Sequence, residues 1–541
     1  MSSNTLHPED TNGDSAVRVR GEYHPDHNAG RSGSGSDSDS DIGLHERFEV
    51  IFDKGAAQRR RASLEPGKGT RPSRPTSQRQ RTSCFVHALL EDKTSSGQWT
   101  PSEEGMLSHR PADKDTGHPN PDGEAKHTQS RLLSKKQLSD MAFGIRELSK
   151  KLGHLRLLLK VRNVFLLTKA HDQKLIANTR DLTEWLLKQR NQDGQGYIIW
   201  VEETMRDNKG FDAEGIISHD PESRKGRLKY WTTELCRKRP HTFEICLALG
   251  GDGTVLYASW LFQRVVPPVM SFALGSLGFL TKFDFDAHSE ILTKAFNNGV
   301  TVSLRLRFEA TIMRSRERPD GREDDGGRDL VDELIGDGAD DVDTHAPGGS
   351  HTILNDLVLD RGPNPTMSSI EIFGDEEHFT TVQADGVCVA TPTGSTAYNL
   401  AAGGSLCHPD NPVILVTAIA PHTLSFRPII LPDTIVLRIG VPYDARASCW
   451  ASFDGKERQV THITQISPPP LSSDPANRES RNELKPGDYV TISASRFPFP
   501  SVLPLDRRSE DWVDSISRTL NWNNRQRQKA FEKPAKDKDV V

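Results

Sequence analysis

Cysteine is scarce and unpatterned. The six cysteines, at positions 84, 236, 246, 388, 407 and 449, form no CxxC pair and no zinc-ligand spacing, and Cys407-His408 is an isolated adjacency. That excludes a disulfide scaffold and a zinc ribbon, and makes a reducing compartment the expectation. No apolar run approaches the roughly eighteen residues that cross a bilayer. The first residues carry no apolar signal core and include Glu9, Asp10 and Asp14, against a transit peptide, so the cytoplasm is the expected location. A dominant charge is missing as well: 69 basic against 75 acidic residues leave −6, which implies neither nucleic acid nor membrane as a partner. Hydrophobic residues make up only 34% and 33 prolines are scattered through the chain, so it is not globular throughout.

The composition divides the chain. Residues 1–130 are rich in Ser, Gly, Asp, Arg and Pro and read as a disordered low-complexity tail. Within it Arg59-Arg60-Arg61-Ala62-Ser63 reads as solvated charge that places Ser63 in a basophilic-kinase setting, and 82–91 is a short apolar island. A folded α/β domain is expected over 135–297, with strands at 163–168, 197–201, 244–249 and 268–273, a helix over 172–189, and a polar stretch at 203–240. The alternation argues for an open, mostly parallel sheet that binds ligands at the carboxyl ends of its strands. From 298 to 505 the period becomes two, as in 301–308 and 310–313, and predicts a mostly β domain. Two stretches interrupt it. Residues 315–350 read as an acidic surface loop, whose spacing fails the calcium-loop template, and 458–484 read as a second loop. A polar tail is expected over 506–541.

Two stretches carry chemistry. Leu249-Gly250-Gly251-Asp252-Gly253-Thr254 joins an apolar strand to a helix over 252–262. Glycines at such a turn let backbone approach a ligand, and the free amides of the helix start suit phosphate oxygens. Asp252 would repel a bare phosphate there, so its use is to hold a metal or take a proton from an attacking hydroxyl. The second stretch runs from Ala384-Asp385-Gly386 to Thr391-Pro392-Thr393-Gly394-Ser395-Thr396-Ala397-Tyr398. Its hydroxyls and its tyrosine face suit a molecule with both a base and phosphates. No GxxxxGK[ST] occurs, so magnesium would be held by nucleotide phosphates and carboxylates.

Together with Asn355-Asp356, Ser276-Leu277-Gly278-Phe279-Leu280 and Ser452-Phe453-Asp454-Gly455-Lys456, these stretches resemble the NAD kinases in order and spacing over about residues 140–505. The resemblance implies transfer of the γ-phosphoryl of ATP to the 2′-hydroxyl of the adenosine ribose of NAD, giving NADP, with Mg2+ accompanying ATP. It implies Asp252 as the base and Gly250, Gly251, Gly253 and Thr254 at the phosphates. Asn355, Thr393, Thr396 and Ala397 match the adenine side, and Asp356 matches the acid at the ribose hydroxyls, where family members often have Glu. Asp385 and Tyr398 match the nicotinamide end. A homo-oligomer with its β domains in contact is also implied. GGDGT alone is shared with lipid kinases of the diacylglycerol and sphingosine kinase type, and an inactive NAD-binding regulator would keep the same pocket. The 391–398 stretch favours the NAD kinases over the first, and the presence of Asp252 over the second.

Overall fold

Along the central strands, successive side chains enter two different apolar cores. In β1 (Asn163–Leu167), Val164 and Leu166 face one core while Phe165 and Leu167 face the other. A strand buried on both faces has no position to give to a polar residue, hence the apolar runs in the sequence. The computed structural model describes residues 48–51, 129–169, 172–316, 327–336, 344–455, 482–504 and 510–523. Ser63, the 82–91 island, Lys456, most of the 458–484 loop and the end of the polar tail lie outside the described residues.

β2 (Ile198–Glu202), β3 (Leu228–Trp231), β4 (Ile245–Gly250) and β5 (Val269–Ala273) join β1 in parallel, in the order β3-β2-β1-β4-β5. Helix α1 (Gln173–Lys188) is N-capped by Asp172 and packs Ile176, Leu182 and Leu186 into the first core. Helix α2 (Asp252–Leu261) packs Val255, Ala258 and Leu261 into the second. β3 corrects the reading of 203–240 as polar throughout. Only Leu228 and Trp231 of its four residues are buried, too few for a period to be visible.

The first sheet is not finished by the residues before 298. β6 (Thr301–Arg305) lies at its far edge. A sandwich of two six-stranded antiparallel sheets then follows. It uses β7 (Phe308–Ser315), helix α3 (Leu330–Ile335), β8 (His345–Ile353), β9 (Asp356–Asp360), β10 (Ser368–Gly374) and β11 (Glu377–Ala384). It continues with β12 (Gly386–Ala390), β13 (Val413–Ile419), β14 (Ile429–Pro432) and β15 (Leu437–Gly440). β16 (Cys449–Phe453), β17 (Glu483–Leu484) and β18 (Tyr489–Ala494) complete it. The sheet orders are β8-β7-β18-β15-β10-β11 and β14-β13-β12-β9-β16-β17, and Phe308, Ile370, Val387 and Val416 meet in the core between them. The chain then returns. β19 (Phe499–Leu503) enters the first sheet between β5 and β6, parallel to the one and antiparallel to the other. Val302, Leu304 and Val502 enter the first core and Phe499 the second, which is why the edge of β5 takes these partners.

Two further readings are corrected. Part of the acidic 315–350 stretch is structured: Leu330 and Leu334 of α3 pack against Met313, Phe373 and Tyr489, while Arg328 pairs with Glu333 at 2.6 Å. Asp329 caps α3 by accepting the Val331 N–H at 2.8 Å, so some of the acidity is capping chemistry. At the other boundary, the expected tail through 130 ends slightly early. Ser130 is buried, and its N–H and hydroxyl donate to the Glu309 carboxylate at 3.0 and 3.2 Å.

Arg307, in the turn between β6 and β7, ties sandwich to sheet. Its fully buried guanidinium donates to the carbonyls of Phe262 at 2.9 Å, Arg264 at 3.0 Å and Phe497 at 2.7 Å. Helix α2 ends at Leu261, so this cation, which also donates to the Ser259 carbonyl at 3.4 Å, sits at the negative end of its dipole. The helix that begins at Asp252 is therefore fixed from its far end.

Candidate active site

The first half of the site begins where β4 stops. Gly250 has φ 145°, and a Cβ there would lie 2.4 Å from Thr254 Oγ1, so the turn demands glycine. Gly251 N-caps α2 and Asp252 opens it. A Cβ on Gly251 or Gly253 would meet no atom within 4 Å, so that side of the turn is open to a phosphate. Asp252 is held from the 276–281 segment. Its Oδ1 accepts the N–H groups of Leu280 at 2.9 Å and Thr281 at 3.1 Å and the Thr281 hydroxyl at 3.2 Å. Its Oδ2 accepts only the Phe279 N–H, at 2.9 Å. With three donors Oδ1 is saturated, and Oδ2 keeps the lone pair that can receive a proton. No residue type in the 276–281 segment announces this cradle. The available signal was a glycine-rich turn directly after β5, at the same edge of the sheet.

The second half stands on the sandwich. Leu354 shares the second core with Val255, Ala258 and Leu280, which brings Asn355 beside the helix of Asp252. Gln263 strengthens the join, accepting the Thr352 N–H at 2.8 Å and donating to the Thr352 carbonyl at 3.3 Å. Asp454 holds the segment from below: its carboxylate accepts the N–H groups of Leu354 (3.0 Å), Asn355 (2.7 Å) and Asp356 (3.3 Å). The 391–398 stretch folds over it. Thr391 N–H donates to the Asn355 carbonyl at 2.8 Å, and a Cβ on Gly394 would lie 2.1 Å from that same oxygen, so only glycine fits. The backbone N–H of Tyr398 donates to the Asp356 carboxylate. Ser395 is spent on scaffolding, its hydroxyl exchanging hydrogen bonds with the Cys407 backbone at 3.0 Å.

Three buried polar atoms in this region have no hydrogen-bond partner: Thr254 Oγ1, Asn355 Oδ1 and Thr393 Oγ1. Each such atom costs about 1–3 kcal/mol while it lacks a partner. Thr396 and Ala397 are half-buried in the same stretch as Thr393, and Tyr398 is 45% exposed.

Burial pushes the Asp356 carboxyl up to about 7, with the neighbouring Asp454 charge adding and the Tyr398 N–H opposing. Burial raises Asp454 too, while the amide donors of Leu354, Asn355 and Asp356 and the Arg307 charge work against that rise.

Asp385 stands apart from the others. β9 pairs antiparallel with β12 so that Asp356 faces Ala390 and Asp360 faces Gly386. Asp385 therefore lies just past the opposite end of that pair, five residues along, about 17 Å away at the usual rise per residue. There it pairs with Arg361 at 3.1 Å. Among the described residues no group of three or more His, Cys, Asp or Glu side chains could hold a metal ion.

A glycine turn open to phosphate, an oriented carboxylate and a hydroxyl-lined pocket on an adjoining sandwich define a phosphotransferase acting on a nucleotide. Comparison with known proteins gives the family. The ATP-NAD kinase N-terminal domain matches residues 164–300 and the ATP-NAD kinase C-terminal domain matches 354–465. A NAD(+) kinase of Saccharomyces cerevisiae is 41% identical over 395 residues, 73% of this chain and 66% of that protein. An uncharacterized kinase of Schizosaccharomyces pombe is 38% identical over 73% of this chain and 89% of its own length. An ATP-NADH kinase of Saccharomyces cerevisiae is 37% identical over 72% of this chain and 70% of its own length. The chain belongs to the ATP-NAD kinase family, and its activity is the NAD kinase activity of that family, a phosphotransfer to an alcohol group.

Proposed function

We propose that the 2′-hydroxyl of the adenosine ribose of NAD gives its proton to Asp252 Oδ2 while its oxygen bonds to the γ-phosphorus of ATP. The bond from that phosphorus to the β-phosphate bridging oxygen breaks, and NADP and ADP leave. The observation that carries this reading is the placement of the oriented Asp252 carboxylate and the unpaired Asn355 and Thr393 atoms on either side of Leu354. Gly250, Gly251, Gly253 and Thr254 line the phosphates; Asn355, Thr393, Thr396 and Ala397 hold the adenine side; Asp356 grips the ribose hydroxyls. Phosphoryl transfer needs positioning and charge neutralisation more than covalent chemistry from the protein. The described side chains do not form a cage for Mg2+, which therefore enters with the phosphates of ATP. The test is the purified full chain with ATP, Mg2+ and either NAD or NADH, with product read by a dehydrogenase specific for the phosphorylated dinucleotide. One NADP or NADPH per ADP is expected; ADP without either product overturns the reading.

The cytoplasm is the proposed location, supported by five described cysteines that are all free and buried. A homo-oligomer is proposed from the edge strand β14. Ile430 on it is 55% exposed and Leu424 nearby 87%, which is the kind of edge that a second copy covers. Light scattering behind a sizing column should return more than one chain.

The Asp356 carboxyl makes a pH-dependent prediction. Its pKa is raised by folding from 3.8 to about 7, so its contribution to stability is complete below 3.8 and is lost as pH rises through about 7. Asp356→Asn removes that titration. Its thermal midpoint relative to the parent should climb between pH 5 and pH 8, and the dependence of KM for NAD on pH over that range should flatten. A constant difference in midpoint across the range would place the titration elsewhere.

Tyr398→Ala should raise KM for NAD and leave KM for ATP nearly unchanged. Loss of a ring stacked on a base costs about 1–3 kcal/mol, roughly five- to 150-fold. Equal rises for both substrates would mean that Tyr398 does not separate acceptor from donor.

A further inference from the structure

A cavity of about 610 Å³ opens far from Asp252, between the end of α1 and the segments that lead into β2 and β3. Lys188 ends α1, Gly196 precedes β2, and Arg227 immediately precedes β3, so the cavity lies at the amino ends of these parallel strands. Asp252 lies at their carboxyl side, beyond the end of β4.

Its wall is positively charged in a chain whose net charge is −6. Lys188, Arg190, Arg224 and Arg227 face Asp220 and Glu222, so four cations against two acids leave +2. None of the three guanidinium groups has an ion-pair partner among the described residues. Backbone carbonyls hold them instead. Arg227 donates to the carbonyls of Leu187 at 2.8 Å and Tyr197 at 3.3 Å, the buried Arg224 donates to that of Ile216 at 2.6 Å, and Arg190 donates to that of Gly194 at 3.0 Å. Carbonyls fix the direction of a guanidinium without neutralising its charge. Asp220 is already engaged, accepting the Ser223 N–H at 3.2 Å as the cap of the Pro221–Arg224 turn of helix. Burial lowers the pKa of Arg227, the charges of Arg190 and Arg224 lower it further, and the charge of Asp220 only partly opposes them. Like charges this close are unfavourable unless something of opposite sign joins them.

We propose that this cavity is a second anion site, which takes a small non-aromatic molecule carrying two or more phosphate charges. The volume falls within the range of about 300–1,000 Å³ usual for small-molecule sites. No aromatic side chain lines it, so it offers no face to a nucleobase and reads charge alone. Guanidinium forks match phosphate oxygens two at a time, which favours phosphate over a simple halide.

Inorganic pyrophosphate is the probe, titrated by calorimetry into the full chain with NAD and a non-hydrolysable ATP analogue saturating the active site, in about 0.15 M salt. One saturable site with a dissociation constant of about 1 mM or tighter is expected. Arg190→Gln should weaken it about tenfold or more, the effect of losing one hydrogen bond to a charged group. The turnover of that variant without pyrophosphate should stay at the parent value. Arg224→Gln should act in the same direction, and if that variant fails to fold, Lys188→Gln replaces it. The proposal is overturned if no saturable site appears in the parent, or if Arg190→Gln and the second variant bind pyrophosphate as the parent does.

Discussion

Asp252→Asn should lower kcat at least a hundredfold while calorimetric NAD affinity changes little. General-base catalysis contributes typically ~10²–10⁴-fold, and an amide has no lone pair basic enough to take the ribose proton. The structure adds a detail to this expectation. With the amide oxygen at the Oδ1 position, facing Leu280, Thr281 and the Thr281 hydroxyl, the new NH2 is left against the Phe279 N–H. That donor–donor contact costs about 1–3 kcal/mol and is confined to the 276–281 turn. In the proposed reading NAD is gripped on the other side of Leu354, by Asn355, Asp356 and the 391–398 stretch, so its affinity should survive. Thr281→Val separates the two effects. It removes one donor from the saturated Oδ1 and spares the base and its Oδ2, so kcat should fall by much less than in Asp252→Asn. An Asp252→Asn enzyme keeping more than a tenth of parental kcat would sink the assignment of the base.

Arg307→Ala should cost at least ~3 kcal/mol of stability, the low end for removing one partner of a buried charged arrangement. The side chain is fully buried and its loss orphans carbonyls of Phe262, Gln263, Arg264 and Phe497 together. It also removes the positive charge that favours ionised Asp454. Urea unfolding should show a lower midpoint, and a substitution within about 0.5 kcal/mol of the parent, the range of ordinary surface changes, would show that the joint is held by something else. Arg307→Lys should recover only part of the loss, because one ammonium cannot reach two helix-end carbonyls and the Phe497 carbonyl at once.

Much of this was legible in the residues, and the exceptions have physical reasons. Strands β1, β4 and β5 are buried on both faces and therefore read as apolar runs, and the glycines around Asp252 announce the turn. Arg307 was invisible because an arginine in an alternating stretch normally marks the solvent face, whereas here both Arg305 and Arg307 are buried. The six residues of α3 are lost among acids because only Leu330 and Leu334 are buried, with Val331 and Ile335 half-covered beside them. The position of Asp385 could not be read at all: it depends on the antiparallel register of β9 and β12, and residues near in sequence to the pocket end up a strand length from it. The membership of β6 and β19 in the first sheet is likewise a matter of long-range pairing, which local periodicity does not encode.

That last pairing has a consequence for how the protein is made. β5 ends at Ala273 and its partner begins at Phe499, so the 225 residues 274–498 must leave the ribosome between them. At synthesis rates of roughly 5–20 residues per second, the amino-terminal half of β5 waits about 10–45 s with an unpaired apolar edge. The sandwich can form in that interval, because its sheets take strands only from the intervening stretch. The nucleotide-handling sheet is thus begun first and closed last, and a ribosome stalled between 274 and 498 releases a chain with an open edge for a chaperone or an aggregate to claim.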